Sequence, residues 1–387
     1  MTITKKKNNI MDPIKGNLIW KSPRPYNATN IPDPDKIRLE FPHLIRFKGA
    51  WYCGFREAQI HDNHPSGNAR IIRSSDGEKW ETVKLIQWEG ADAGTPRFSV
   101  TAEGQLMMTS TVLFVSNEPR SDGQYYQLDR KTLGMGLVPH SEMEADVACQ
   151  AVTWLTSDGE NWGTAYACPN ALNTNRFNVT WFNGMGYSVT NAFGINQTGT
   201  LHRTRDGKSW RILLKDFIPA EQGDEAGLAF TPEGLACCLL RGNRSTIAMI
   251  GLSKPPYYQE WQWIHPKVDW REDGNVRPAN DVFRVELGGP TIITLKGGRL
   301  LGAGRTLPPE RPEGPWRVDA SDPQGKEDGR IVLFWIDPEK GCFTRFAEID
   351  GTSYPGVVEH EGMIWVTYVV YWGDQPGIYL AKVKVPD

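Results

Sequence analysis

Ser74-Ser75-Asp76-Gly77-Glu78-Lys79-Trp80 has two further versions in the chain, Thr156-Ser157-Asp158-Gly159-Glu160-Asn161-Trp162 and Thr204-Arg205-Asp206-Gly207-Lys208-Ser209-Trp210. The common pattern is [Ser/Thr]-x-Asp-Gly-x-x-Trp. Each copy follows a strand-like run: Ala69–Arg73, Ala151–Leu155 and Thr200–Arg203. Asp-Gly between two such runs predicts a tight hairpin. Glycine supplies the positive φ, the aspartate caps the turn's own backbone, and the tryptophan opens the next strand and folds back over the turn. This is a structural device rather than a chemical one.

A turn unit that comes back at intervals of roughly 50 residues predicts a repeat architecture. Working outward from the turns gives six units of short strands. They fall at about 37–90, 94–168, 176–217, 226–265, 284–349 and 353–383. The sixth supplies three strands, and the isolated run Asn17–Ser22 is the natural fourth. The expected fold is therefore an all-β, six-bladed propeller whose ring is closed by the N-terminal strand, leaving no unpaired edge. A single domain over 17–387 is expected, with residues 1–16 as a disordered leader. In the fourth unit Ser253-Lys254-Pro255-Pro256 stands where another Asp-Gly turn belongs. The polar segment 113–148 interrupts the second unit and is expected to form a flap over one face.

Composition narrows the function. The chain has 387 residues, a net charge of −3, 15 Trp, 39 Gly and 27 Pro. That near-neutral balance gives no reason to expect nucleic acid or an anionic membrane as a partner. No apolar run is long enough to span a bilayer. The basic start, Met1–Asn9, lacks a following apolar segment, so a cytoplasmic chain is expected, or a secreted one if a signal has been trimmed. The six cysteines show no metal-ligand spacing, no metal or cofactor is expected, and adjacent Cys237 and Cys238 should face opposite sides of a strand. The oligomeric state is not legible.

In a propeller the first strand of each blade lines the central channel. Polar residues at the ends of inner strands are therefore the candidates for chemistry. Glu225 opens the inner strand of blade four and Tyr354 that of blade six. Arg241 and Arg305 end second strands, Arg330 begins a third, and Arg56, Glu57, His61, Asp62 and His64 cluster near blade one. A tyrosine, a glutamate and several arginines suit a sugar that carries a carboxylate near the reacting carbon. A neutral phenol escapes the repulsion that an anionic nucleophile meets there, and guanidinium groups bind the carboxylate bidentately.

The three turns are similar to the Asp-boxes of sialidase-type propellers. The resemblance extends to Glu225-Ala226-Gly227-Leu228-Ala229-Phe230, which looks like the family's segment for the glutamate that assists the nucleophile. It also places the tyrosine nucleophile on Tyr354, in Ser353-Tyr354-Pro355-Gly356. It implies that Arg241 and Arg330 match the second and third arginines of the carboxylate-binding triad, and that the acid/base is a blade-one loop residue, Asp62 or His61. The family's first triad arginine precedes Pro-x-Leu; before Pro42-His43-Leu44 this chain has Glu40 at that spacing and Arg38 two residues earlier. Phe55-Arg56-Glu57-Ala58-Gln59 resembles a family motif that ends in Arg where Gln59 stands. The chain thus looks like a divergent member.

The resemblance implies an exo-glycosidase that removes a terminal acidic sugar, sialic acid or a relative, from an oligosaccharide or glycoconjugate. Tyr354 and Glu225 would do the chemistry, with Arg241, Arg305, Arg330, Arg56, Glu57 and Arg38 around the substrate. Two alternatives stand beside it: a polysaccharide lyase acting on uronates, and a glycan-binding propeller without catalysis.

Overall fold

In the computed structural model the described residues are 13–23, 37–59, 67–119, 125–127, 149–172, 174–192, 199–219, 225–241, 248–269, 276–278, 287–306, 330–371 and 375–386. They form strands without a helix, arranged in six antiparallel-core sheets. Blade one comprises Arg38–Phe47, Ala50–Ala58, Asn68–Ser74 and Glu81–Ile86. The inner strands of the others are Arg97–Val100, Thr174–Phe182, Ala226–Phe230, Gly288–Thr294 and Thr352–His360. Blade five carries an addition that its sequence did not suggest. Lys267–Asp269 pairs in parallel with its outer strand, Cys342–Ile349.

The ring closes as the count of strands requires. Asn17–Lys21 pairs antiparallel with Gly377–Lys384, with Asn17 opposite Leu380 and Lys21 opposite Gly377. Within the expected leader, Ile14 and Gly16 contact the ring. Ile14 bridges Ile349, and the Gly16 amide donates to the Tyr368 hydroxyl at 2.7 Å, while residues 1–12 lie outside the described residues. Of the supposed flap at 113–148, the strand Leu106–Pro119 runs through its start and Tyr125–Gln127 pairs with that strand; 120–124 and 128–148 lie outside the described residues.

The apolar core is not central. It is divided into clusters, each shared by two neighbouring blades. Phe47, Tyr52 and Ile71 meet Phe98, Met108 and Trp154 between blades one and two. Ile19, Trp365 and Leu380 meet Leu44 and Phe55 between blades six and one. Between blades four and five Cys237 packs with Ile292 and Phe334, whereas Cys238 faces Val189 and Leu201 of blade three. The cysteine pair therefore points to opposite faces, and no disulfide joins any of the six cysteines, all of which are among the described residues.

The three Asp-Gly turns share one geometry. The Ser74, Thr156 and Thr204 hydroxyls accept from the glycine amides at 2.8, 3.0 and 2.9 Å. One oxygen of Asp76 accepts from the amides of Glu78 and Lys79, and Asp158 and Asp206 repeat the pattern. Gly77, Gly159 and Gly207 have φ of 80°, 83° and 72°. A Cβ on them would strike Trp365, Tyr52 and Met107, each on the preceding blade. Glycine is thus demanded by conformation and by space, and the turn doubles as a dock between blades.

Backbone amides of Lys79 and Glu78, with the Ser74 hydroxyl, hold Asp76 down to about 2, from an ordinary value of 3.8. A carboxylate depressed on folding stabilises above its unfolded pKa, and that contribution is lost as pH falls through the folded value. Acid should therefore weaken this turn between about pH 4 and 2. In an acid titration of thermal stability, Asp76→Asn should flatten the curve across that interval; an unchanged curve would contradict the role of the turn.

Candidate active site

Inner strands begin at one end of the ring, and four of them begin irregularly. The pairing register slips between Glu40 and His43, Arg176 and Val179, Gly288 and Thr291, and Thr352 and Gly356. Phe41-Pro42, Gly289-Pro290 and Tyr354-Pro355 lie inside three of these slips, and Thr95-Pro96 leads into the fourth proline-bearing start, that of blade two. Proline gives no N–H to the ladder and fixes its own φ. The chain bulges there, and a bulge re-aims a side chain. Phe41 and Ser353 take φ of 54° and 73°, and the Phe41 amide donates to the Ser353 hydroxyl at 3.2 Å.

These bulges bring Tyr354 to the channel from blade six and set it against blade four. Its hydroxyl donates to Oε1 of Glu225. Arg241 Nη1 lies 2.6 Å from the same carboxylate oxygen and donates to the Tyr354 hydroxyl at 3.3 Å. The second oxygen of Glu225 accepts the Gly289 amide at 2.7 Å, so blade five also holds the carboxylate. Phe41 packs on the Tyr354 ring with centroids 4.9 Å apart. Arg97 and Arg305 lie 5.7 and 6.0 Å from that ring's centroid. His43, Arg97, Phe177, Asn178, Glu225, Thr291 and Tyr354 share one small pocket.

Burial, and next the Glu225 charge, push the Tyr354 phenol well above its ordinary value of 10, while Arg241 and Arg305 oppose them. The phenol is held in its neutral form, hydrogen-bonded to the Glu225 side chain. Burial brings Arg97 down to about 10 and His43 down to about 3. His43 is therefore uncharged, and its Nδ1 accepts the Phe98 amide at 3.1 Å.

Gly289 has φ of 58°, and a Cβ there would overlap the Tyr354 ring. Gly289→Ala should displace the ring from Glu225 and cost on the order of 10²-fold in kcat, as small misplacements do. Kinetics on any substrate turned over by the wild type would test this, with circular dichroism to confirm folding.

The same radial arrangement is found in solved structures. A protein of unknown function from Dyadobacter fermentans is similar over 97% of this chain and 99% of its own, with 16% identity and a TM-score of 0.63. The NanB sialidase from Streptococcus pneumoniae matches 96% of this chain and 70% of its own at 11% identity and a TM-score of 0.59. An α-L-arabinanase from Penicillium chrysogenum, solved with arabinobiose, matches 96% and 98% at 13% identity and 0.58. The fold is a six-bladed β-propeller. Two of these three neighbours are glycosidases. Neither the family models nor the curated proteins compared with the chain give a match.

Of the sequence candidates, Tyr354, Glu225 and Arg241 meet directly, and Arg305 stands beside them. Arg330 instead forms an ion pair with Asp350, so in this propeller the blade-five arginine beside Tyr354 is Arg305. Arg38 and Arg56 are joined through Glu40, at 2.6 and 2.8 Å, and Arg56 also binds Asp92. All four are buried. Glu57 alternates to the other face of its strand and pairs with Arg70, away from Tyr354. His61, Asp62 and His64 lie outside the described residues. Arg97 was missed. The available signal was Thr95-Pro96-Arg97, which repeats the proline-marked strand start seen at Phe41-Pro42 and Tyr354-Pro355.

Proposed function

We propose that this chain is an exo-glycosidase that removes a terminal acidic sugar, sialic acid or a related sugar, from a glycan. The observation that carries the reading is the Tyr354–Glu225–Arg241 cluster, built from blades six and four at the channel. Glycosidase neighbours with the same propeller support a carbohydrate substrate.

In this reading the Tyr354 oxygen attacks the anomeric carbon. A Tyr–O–C bond forms as the glycosidic C–O bond breaks, and the phenolic proton passes to Glu225. The leaving oxygen takes a proton from the blade-one loop, from Asp62 or His61. Water then attacks the anomeric carbon and gives its proton to the loop residue, while the Tyr–O–C bond breaks, Glu225 returns the phenolic proton to Tyr354, and the sugar leaves with the water oxygen as its hydroxyl. A neutral phenol approaches an anionic sugar without repulsion, and Arg241, Arg305 and Arg97 offset the sugar's carboxylate. A lyase would be served better by a phenolate or free histidine base. Here the phenol is held protonated and its partner is a carboxylate, which favours hydrolysis.

The test is hydrolysis of fluorogenic aryl glycosides of N-acetylneuraminic and related ulosonic acids. A 2,3-difluorinated ulosonic acid should add its glycosyl mass to the peptide that contains Tyr354. Absence of turnover and of label would overturn the proposal, and a rise in absorbance at the unsaturated-uronate band during digestion of uronic-acid polymers would select the lyase.

A further inference from the structure

The fourth unit of the sequence lacks Asp-Gly, and its turn is an enlarged version of the others. Ser253 Oγ donates to the Glu260 carbonyl at 2.6 Å, as Thr204 Oγ1 donates to the Ser209 carbonyl at 2.8 Å. Trp261 Nε1 donates to the carbonyl three residues back, at Tyr258, just as Trp210 Nε1 donates to that of Gly207. Counting back from the tryptophan, Tyr258 holds the glycine position and Tyr257 the aspartate position. Tyr258 even keeps the glycine's conformation, with φ of 53°. A bulky residue with positive φ is strained, and such strain is retained where it serves something.

Tyr258 is buried, its hydroxyl donating to the Gly234 carbonyl at 3.0 Å. Tyr257 is the reverse. It is 72% exposed, against 38% for the next most exposed large apolar side chains among the described residues. It stands over a groove of about 720 Å³ between blades four and five. Trp261 forms part of the wall, fixed by Phe217 at 4.9 Å and Trp263 at 6.2 Å. Gln259, Glu260, Gln262 and Glu339 supply amide and carboxylate groups around the aromatic rings. The groove lies where strands one and two, and strands three and four, are joined. That is the end of the ring opposite Tyr354, one inner strand away, roughly 17 Å.

We infer that this groove is a second carbohydrate site, one for neutral saccharides. Its size is that of a ligand pocket. The exposed Tyr257 ring and the fixed, half-buried Trp261 ring suit the C–H face of a pyranose or furanose, and carboxamides and carboxylates take paired hydroxyls. Glu260 and Glu339 outweigh the one cation of the lining, Lys254, so an acidic sugar is disfavoured and the ligand class differs from that proposed for the channel. The site would hold the chain on a glycan while the channel works on an acidic terminus, and only this last clause rests on the proposed glycosidase reading.

The test is a tryptophan-fluorescence titration of the full chain with tri- and tetrasaccharides from arabinan, galactan, xylan and β-glucan, with a proline-rich peptide as a further arm. At least one saccharide should bind, and Tyr257→Ala should weaken it by ~10-fold or more, the scale of one lost stacking contact. Tyr354→Phe should leave that binding unchanged, and Tyr257→Ala should leave turnover of small aryl glycosides unchanged. Saccharide binding without turnover would sink the channel reading and keep this one. Failure of every saccharide to bind, binding indifferent to Tyr257→Ala, or Tyr257-dependent binding of the peptide alone would overturn the second site.

Discussion

Tyr354→Phe should abolish turnover, lowering kcat by roughly 10³-fold or more while leaving the fold intact. The substitution removes one oxygen. The ring keeps its packing on Phe41 and its place beside Arg97 and Arg305, so substrate affinity should change little. The loss should therefore fall on kcat rather than KM, the mark of a group used in the chemical step. Glu225→Gln tests the partner. A general base contributes on the order of 10²–10⁴-fold, and the amide also leaves Arg241 without the anion now 2.6 Å away. Steady-state kinetics on an acidic aryl glycoside would measure both. Activity of Tyr354→Phe within tenfold of wild type would remove the tyrosine from the mechanism.

The largest effect on stability should come from Glu40→Leu. Glu40 is 1% exposed and accepts from Arg38 and Arg56, while Arg56 also contacts Asp92 at 2.5 Å. Removing one member of a buried ionic network strands its partners, at a cost of about 3–5 kcal/mol. Here two guanidinium groups lose their shared anion, Arg56 retaining Asp92 and Arg38 its contact with the Tyr371 ring at 4.6 Å. Equilibrium urea unfolding would report the loss. A change below about 1 kcal/mol would mean that solvent reaches the network and screens it.

Much of the ring was legible because its signals are local. Asp-Gly followed by tryptophan is complete within seven residues, and the closing strand was betrayed by a missing partner. The pairing of Lys267–Asp269 with blade five was not legible, because its partner, Cys342–Ile349, lies far along the chain. The meeting of side chains at the channel was legible where one residue type stands at a strand start, as for Glu225 and Tyr354. It was less so for the two arginines of blade five: on adjacent strands, Arg305 lies beside the Tyr354 ring while Arg330 pairs with Asp350, twenty residues on. Glu57 meets Arg70 for a simpler reason, since neighbours on a strand point to opposite faces and Arg56 holds the face shared with Glu40 and Asp92. Arg97 was hidden because bulges are set by three-dimensional register.

The closing strand has a consequence for how the molecule is made. Asn17–Lys21 emerges from the ribosome early, but its partner, Gly377–Lys384, is synthesised hundreds of residues later. Until then the nascent toroid stays open and Asn17–Lys21 has nothing to clasp. Tyr354 belongs to that last sheet, so its contact with Glu225 and the closure of the circle are completed in the same late event.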